Sequence, residues 1–354
     1  MNILLIDLTC KAPYHAKSLT EGPIAGTEMA IILVAQHLAK THCVFVAQHC
    51  RFENEYHEQS ASYISLETAK NLPPDKAPNL LILVRKYQSL DEYASLFPKA
   101  KKLFWAHDLA RFKMRQYQSV FRKHDCTIIA VSDFHKQDIE LKLKGSWNEH
   151  LYDLIRRRKP LKVIRIYNPV PEDLKPDNTK ADPNKLVFFS SPNKGLDETI
   201  RRFLEAKKIM PNLKLYIANP GYITLDGCKQ LSQELLQENG VVVLGALTRD
   251  EVIQHVREAF CVFYPQKYKA ETFGYIFAEA NAVGTPVLAH DFGAAKETLN
   301  NDEQLVNAHN PHSIVSTLEA WQKNGRPIVY ANSAWQQSAV FKQWDELIAK
   351  LDIN

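Results

Sequence analysis

Glu271 and Glu279 stand eight residues apart in the stretch YKAETFGYIFAEANAVGTPVLAHDFGAAKETL (Tyr268 to Leu299), where nearly everything between and after them is apolar or small. A carboxylate in such surroundings is costly unless it is paired or hydrogen-bonded. Two uses fit it: a buried ion pair with a structural Lys or Arg, or a site for a ligand that brings its own donors. Two further positions have the types for chemistry. Lys194 precedes Gly195 and a helical run, where a cation can meet an anionic ligand or simply be solvated. His107-Asp108 closes the strand-like FWAHDLA, where a histidine is either a satisfied strand-end residue or a group facing a cleft.

The elements around the glutamates can be read from the same stretch. CVFYP reads as a strand stopping at Pro265, and QKYKAET as a polar loop. From Gly274, GYIFAEANAVG reads as a helix closed by Gly284 in a C-terminal glycine position. Its apolar residues surround the axis, so the helix is expected to be buried, with Glu279 inside it. Glu271 falls in the loop at the carboxyl edge of the sheet, where open α/β folds bind ligands. Phe273-Gly274-Tyr275 sets backbone N–H groups at the helix start, and the helix dipole there favours a phosphate.

Short β-rich runs alternate with helical patterns along the chain. NILLIDL, CVFVAQ, LLILVR, KLFWAH, CTIIAV and KVIRIYN are followed by a second series, KLVFFS, LKLYIA, VVVLG, CVFYP and PVLAH. Helix-period stretches such as GTEMAIILVAQHLAK, SDFHKQDIELKLK and LDETIRRFLEAKKIM lie between them. The alternation predicts two parallel sheets covered on both faces. YNPVPEDLKPDNTKADPNK (Tyr167 to Lys185) reads as the linker between them, and the tail from Ser333 as a long amphipathic helix. The expected division is 1–168 plus 335–354 for the first domain and 169–334 for the second.

At 354 residues and 45% hydrophobic content, the chain has material for two soluble cores. It holds no uninterrupted apolar run of membrane-spanning length, and MNILLIDLTC reads as a first strand rather than a signal peptide. The six cysteines lack CxxC spacing, so neither a metal site nor a disulfide framework is expected, and a reducing cytoplasm is the simplest setting. The net charge of +4 hides an asymmetry: residues 1–168 hold 25 Lys and Arg against 17 Asp and Glu, and the remainder is acidic. The excess gathers in KKLFWAHDLARFKMRQYQSVFRKHD and LIRRRKPLK, which are either solvated faces or a basic aromatic surface for anionic lipid or a phosphorylated acceptor. Nucleic acid is not an expected partner, because no nucleic-acid-binding signature accompanies the charge.

The pattern E-x-F-G-x-x-x-x-E-A-x-A-x-G-x-P-V from Glu271 to Val287 resembles the signature of the "group 1" family of retaining GT-B glycosyltransferases. FFSSPNKGLDETI is similar to that family's first C-domain strand and turn, with Lys194 at the place of its phosphate-binding lysine. The family's arginine a few residues earlier is replaced by the region of Ser190, Ser191 and Pro192. EGPIAGTEMAII resembles the glycine-rich loop after the first strand, keeping Gly26 with Ala25 in place of its partner. It lacks the G-x-G-x-x-G dinucleotide fingerprint. DFGAAKETL resembles a downstream G-G-x-x-E, with Glu297 read as structural.

The resemblance implies a GT-B fold: two facing Rossmann-like domains with mostly parallel sheets and a C-terminal helix that crosses back to the first domain. It implies transfer, with retention, of a hexose or heptose from a nucleotide diphosphate sugar to a lipid-linked or cell-surface glycan, as in lipopolysaccharide or polysaccharide biosynthesis. By the same resemblance Glu271, His107 and Lys194 are the catalytic candidates. Gly26, Ser191, Lys194, Glu271, Phe273, Gly274, Tyr275, Ile276 and Glu279 are the donor-binding ones, with Glu279 holding ribose hydroxyls and unsatisfied until nucleotide arrives. No metal or other cofactor is expected, since no D-x-D pair is suitably placed. The implied partners are the nucleotide sugar, the glycan or lipid-linked acceptor and an anionic membrane surface, with the protein cytoplasmic and peripheral at the inner face. Two alternatives share the fold class: a non-catalytic nucleotide-sugar-binding protein and a nicotinamide-dependent oxidoreductase.

Overall fold

A computed structural model describes residues 1–57, 60–144, 160–218, 239–299 and 301–351. Its contacts divide the chain into two compact units. The first comprises Met1–Lys17, Thr27–Pro169 and Ser338–Asn354, and the second Ser18–Gly26 and Val170–Gln337. The expected division placed 18–26 with the first sheet. In the structure these residues gather with the second unit, and Gly26 lies against the Tyr275 ring, where a Cβ would come 2.7 Å from Cδ2.

The first unit is a seven-stranded sheet of β1 (Asn2–Asp7), β2 (Cys43–Gln48), β3 (Ser62–Ser65), β4 (Leu80–Val84), β5 (Lys101–Trp105), β6 (Thr127–Ala130) and β7 (Val163–Arg165), in the order 3-2-1-4-5-6-7. Every pairing among them is parallel. NILLID and LLILV are buried almost throughout because a parallel sheet is covered on both faces, which makes a strand read as a continuous apolar run. The last helix, Gln337–Ala349, belongs here from Ser338 onward, and its Trp344 packs edge-on against Trp105 with ring centroids 4.9 Å apart.

The second unit holds β8 (Asp182–Phe188), β9 (Lys214–Ile217), β10 (Val241–Val243), β11 (Ala259–Tyr264), β12 (Val287–His290) and β13 (Leu305–Val306). Their order is 10-9-8-11-12-13, again all parallel. β8 begins at Asp182, inside the proline-bearing stretch read as linker, so the irregular segment is shorter than its composition suggested. Within this unit Val170 N donates to Trp335 O at 2.7 Å and Gln337 N donates to Val170 O at 3.1 Å. The two ends of the 170–337 segment are thus bonded to each other.

Candidate functional site

β11 delivers the chain to the carboxyl edge of the second sheet, between β8 and β12. The loop that follows is folded around a side chain the sequence reading passed over. Gln266 is buried, and its Oε1 accepts from the amides of Tyr268 and Lys269 while its Nε2 donates to Lys269 O. A glutamine satisfied by backbone on both sides fixes a loop much as a turn of secondary structure would. At the loop's end Gly274 has φ 81°, and a Cβ there would come 2.6 Å from Phe277 Cδ2. Only glycine admits that turn cheaply, and from it the helix Tyr275–Ala282 starts with its first amides directed out of its N-terminus.

Glu271 is 7% exposed and is fully engaged by protein. Lys194 Nζ donates to Oε1 at 2.9 Å and Oε2 at 2.7 Å, and Tyr264 OH donates to Oε1 at 2.6 Å. Burial alone would raise the carboxyl's pKa; the Lys194 charge and hydrogen bonds, with the Tyr264 hydroxyl, outweigh it and hold the group below the usual carboxylate value. Burial and the Glu271 charge push the Tyr264 phenol well up, so it stays protonated and donates. Lys194 reaches Glu271 from the turn Pro192–Lys194, where its amide donates to Ser191 O at 2.8 Å. Glu271, Tyr264, Gln266, Phe277, His290 and Phe292 border a small hollow of about 10 Å³. That is room for about one water, and a sugar or phosphate would need the surrounding side chains to move.

Glu279 lies in the buried helix as expected, but the expectation that it lacks a protein partner is corrected. Arg249, the first residue of the helix Arg249–Glu258, forms an ion pair with its Oε1. A carboxylate 5% exposed cannot remain charged without compensation, and an arginine thirty positions earlier supplies it. Burial lowers the Arg249 pKa, and the Glu279 charge more than reverses this. Arg249 Nη2 is buried with no hydrogen-bond partner among the described residues, which leaves one donor beside the carboxylate. Thr248 and Glu251 close a capping box around Arg249, the Glu251 carboxylate accepting from the Thr248 amide and hydroxyl at 2.8 Å each.

Phe273 and Ile276 are buried, and the Tyr275 ring stands edge-on to Phe273 at 5.4 Å. The second unit therefore brings together Lys194, Ser191, Glu271, Phe273, Gly274, Tyr275, Ile276 and Glu279 around one loop and one helix start, with Gly26 against Tyr275. His107 belongs to the first unit. It is 7% exposed and follows β5; burial, then the Arg85 charge, push its pKa down to about 3, so the imidazole is neutral.

The neighbours of His107 were not legible as a set. Arg85, left-handed at φ 63°, grips Asp108 through Nε at 2.9 Å and Nη2 at 3.2 Å. His135 accepts from Val131 N at Nδ1, which assigns its Nε2–H to donate to Asp108 O at 2.9 Å. Asp7 and Glu28 are at the same strand edge, and burial followed by the Asp7 charge raises the Glu28 pKa. Strand ends pointing toward this edge were the available signal; the pairing itself was not.

Residues 169–334 match the family described as glycosyl transferases group 1. The match covers a little under half of the chain. The matched segment coincides with the second sheet and carries both glutamates. Among curated proteins the chain is 29% identical over 175 residues to an uncharacterised glycosyltransferase of Methanocaldococcus jannaschii, covering 45% of this chain and 43% of that protein. The chain thus spans less than half the length of the curated relative it matches. Among solved structures it resembles a sucrose-phosphate synthase from Thermosynechococcus elongatus, with TM-score 0.67, 15% identity and coverage of 99% and 98% of the two chains. It also resembles a lipopolysaccharide outer core galactosyltransferase, with TM-score 0.61, 14% identity and coverage of 99% and 100%. At these identities the likeness is one of fold: the two-unit α/β GT-B fold expected from the sequence.

Proposed function

We propose that this chain is a retaining glycosyltransferase that moves a hexose or heptose from a nucleotide diphosphate sugar to a lipid-linked or cell-surface glycan. The observation that carries the reading is Glu271 held by Lys194 and Tyr264 at the mouth of the Gly274 helix start, inside a group 1 domain. A departing diphosphate needs positive charge fixed in advance, and Lys194 with the helix-start amides offers it where water is scarce. Opening of the Lys194–Glu271 pair on donor arrival would free the ammonium for phosphate and the carboxylate for sugar hydroxyls. Glu279, oriented by Arg249, is placed to accept from ribose hydroxyls, and Arg249 Nη2 has a donor to spare for the same ligand. Neutral His107 suits a hydrogen bond to an uncharged sugar hydroxyl rather than a charge.

No metal is assigned a role, since the basic and amide groups already answer the diphosphate charge. The lipopolysaccharide-type acceptor draws on the basic aromatic stretch of the first unit and on the galactosyltransferase whose fold the chain shares. In that stretch Arg111, Phe112 and Lys113 are exposed, whereas Lys123 is paired with Asp91 at 2.7 Å and Arg122 donates to Gln118 at 2.8 Å. A peripheral site at the inner membrane face accordingly rests on Arg111 and Lys113 more than on the other cations. No helix among the described residues is long and apolar enough to cross a membrane.

One observation favours a second reading, a nucleotide-sugar-binding protein without transfer: Lys194 and Glu271 are each occupied by the other. Incubation with a panel of UDP-, GDP- and ADP-sugars, with detection of released nucleoside diphosphate and of the product anomer, separates the two. Release with retention supports the transferase; tight binding without release supports the second reading, and stabilisation by NAD alone would overturn both.

A further inference from the structure

At the carboxyl edge of the first unit's sheet, two thiols forty residues apart in sequence meet. Cys10 Sγ lies 2.7 Å from Cys50 Sγ and 3.4 Å from His49 Nδ1. The placement is built into the sheet. β1 and β2 pair with Asp7 opposite Gln48, and His49 N donates to Asp7 O at 3.2 Å. Cys10 follows Asp7 by three residues and Cys50 follows Gln48 by two, so the register itself delivers both side chains to one spot. Two sulfurs in van der Waals contact sit farther apart than this, and a tetrahedral zinc with two thiolate ligands at about 2.3 Å holds them about 3.7 Å apart. A disulfide at about 2.05 Å requires the smaller movement.

We infer that Cys10 and Cys50 form a peroxide-responsive dithiol that oxidises to a disulfide, with His49 as the proton acceptor. Cys50 is half-buried and Cys10 is 1% exposed, so the peroxide reaches the Cys50 sulfur first. Burial, then the Asp7 charge, push the Cys10 thiol up, which keeps it protonated until its partner is oxidised. The Cys50 thiolate attacks one oxygen of a hydroperoxide; the O–O bond breaks, and the departing oxygen leaves as water or alcohol after protonation. Cys50 is then a sulfenic acid. Cys10 attacks that sulfur, its proton passing to His49 Nδ1 in the tautomer that leaves this nitrogen unprotonated. The S–O bond breaks and hydroxide leaves as water with that proton. Two electrons have gone from the two sulfurs to the peroxide, and the loop after β1 is covalently tied to the loop after β2.

The test uses the reduced full-length protein. It is exposed to a small excess of hydrogen peroxide, quenched with an alkylating reagent and peptide-mapped. A Cys10–Cys50 linked pair, two mass units below the separate thiol peptides and restored by dithiothreitol, is expected while the exposed Cys43 remains alkylatable. Cys50 advancing to sulfinic acid with Cys10 still alkylatable would overturn the inference. His49→Ala is at an exposed position, so its fold is secure. It is expected to leave dimedone trapping of the Cys50 sulfenic acid unchanged and to slow linkage about tenfold or more; an unchanged linkage rate would remove His49 from the step. Titration with zinc chloride is the third arm. Thiols that stay reactive support the dithiol, and one equivalent of zinc protecting both at micromolar concentration would make the cluster a metal centre instead. None of these readouts depends on sugar transfer.

Discussion

Lys194 donates to both carboxylate oxygens of Glu271, closing a part-buried ion pair between the turn after β8 and the loop after β11. Lysine at 34% side-chain exposure is partly screened, while Glu271 at 8% is not. Removing the lysine strands a buried charge. Lys194→Met is expected to destabilise by about 1–3 kcal/mol, below the range for fully buried pairs because water reaches the ammonium. Adding Glu271→Gln should return part of the loss. Chemical denaturation of the two single variants and the double variant gives the coupling; strict additivity would sink the pair as a stabilising contact.

The same pair sets an acid limb on stability. Because the folded-state pKa of Glu271 lies below its unfolded value, its contribution is fully present above that unfolded value, near 4.5. It is lost as pH falls through the folded one. Denaturation of wild type and Glu271→Gln at pH 6, 4.5 and 3.5 should show the difference between them shrinking with acid.

Histidine burial works over a higher window. His107 and His135, pushed down to about 3 and about 4, stay neutral when folded, whereas the unfolded chain protonates them below about 6.5. Stability therefore falls as pH drops from 6.5 toward 4, at up to about 1.4 kcal/mol per pH unit for each histidine. His135→Asn should reduce that slope. The activity profile should likewise show no limb near pH 6.5 from His107, and a limb abolished by His107→Asn would contradict its neutrality.

Arg249→Met removes the ion-pair partner of a carboxylate that is 5% exposed. The expected cost is about 3–5 kcal/mol. Arg249→Lys should recover stability incompletely, since one ammonium cannot copy the guanidinium fork. Isothermal titration with nucleoside diphosphates then separates the two roles: Arg249→Lys should weaken binding if Nη2 meets the ligand and leave it unchanged if the arginine only steadies Glu279.

Gly274→Ala places a Cβ 2.6 Å from Phe277 at a φ of 81°. A loss of about 1–3 kcal/mol is expected from backbone strain together with the clash. A melting temperature equal to wild type would show that the helix start relaxes freely.

Much of this fold was legible because its strands are buried on both faces and read as unbroken apolar runs, NILLID and LLILV above all. The short edge strands β3 and β13 were not, since SYIS carries two serines and Leu305–Val306 is only two residues long. Within the site, Gly274 and the glutamate spacing were local signals and could be read. The Arg249–Glu279 and Lys194–Glu271 pairs join residues 30 and 77 positions apart, and nothing in either local pattern names the partner. Gln266 was hidden for a related reason: a glutamine in a polar loop looks solvated until its backbone partners are known. The cysteines had no motif because sheet register, not sequence spacing, makes them neighbours.

Val170, held between Trp335 and Gln337, has a consequence for how this protein can be rebuilt. Chain entry and chain exit for residues 170–337 are a single stitch, so the segment behaves as a cassette whose cut ends are already side by side. A related domain with similarly joined ends could be grafted at these two points without a spacer, leaving only 18–26 to be matched. The two units would then become separately exchangeable parts of one gene.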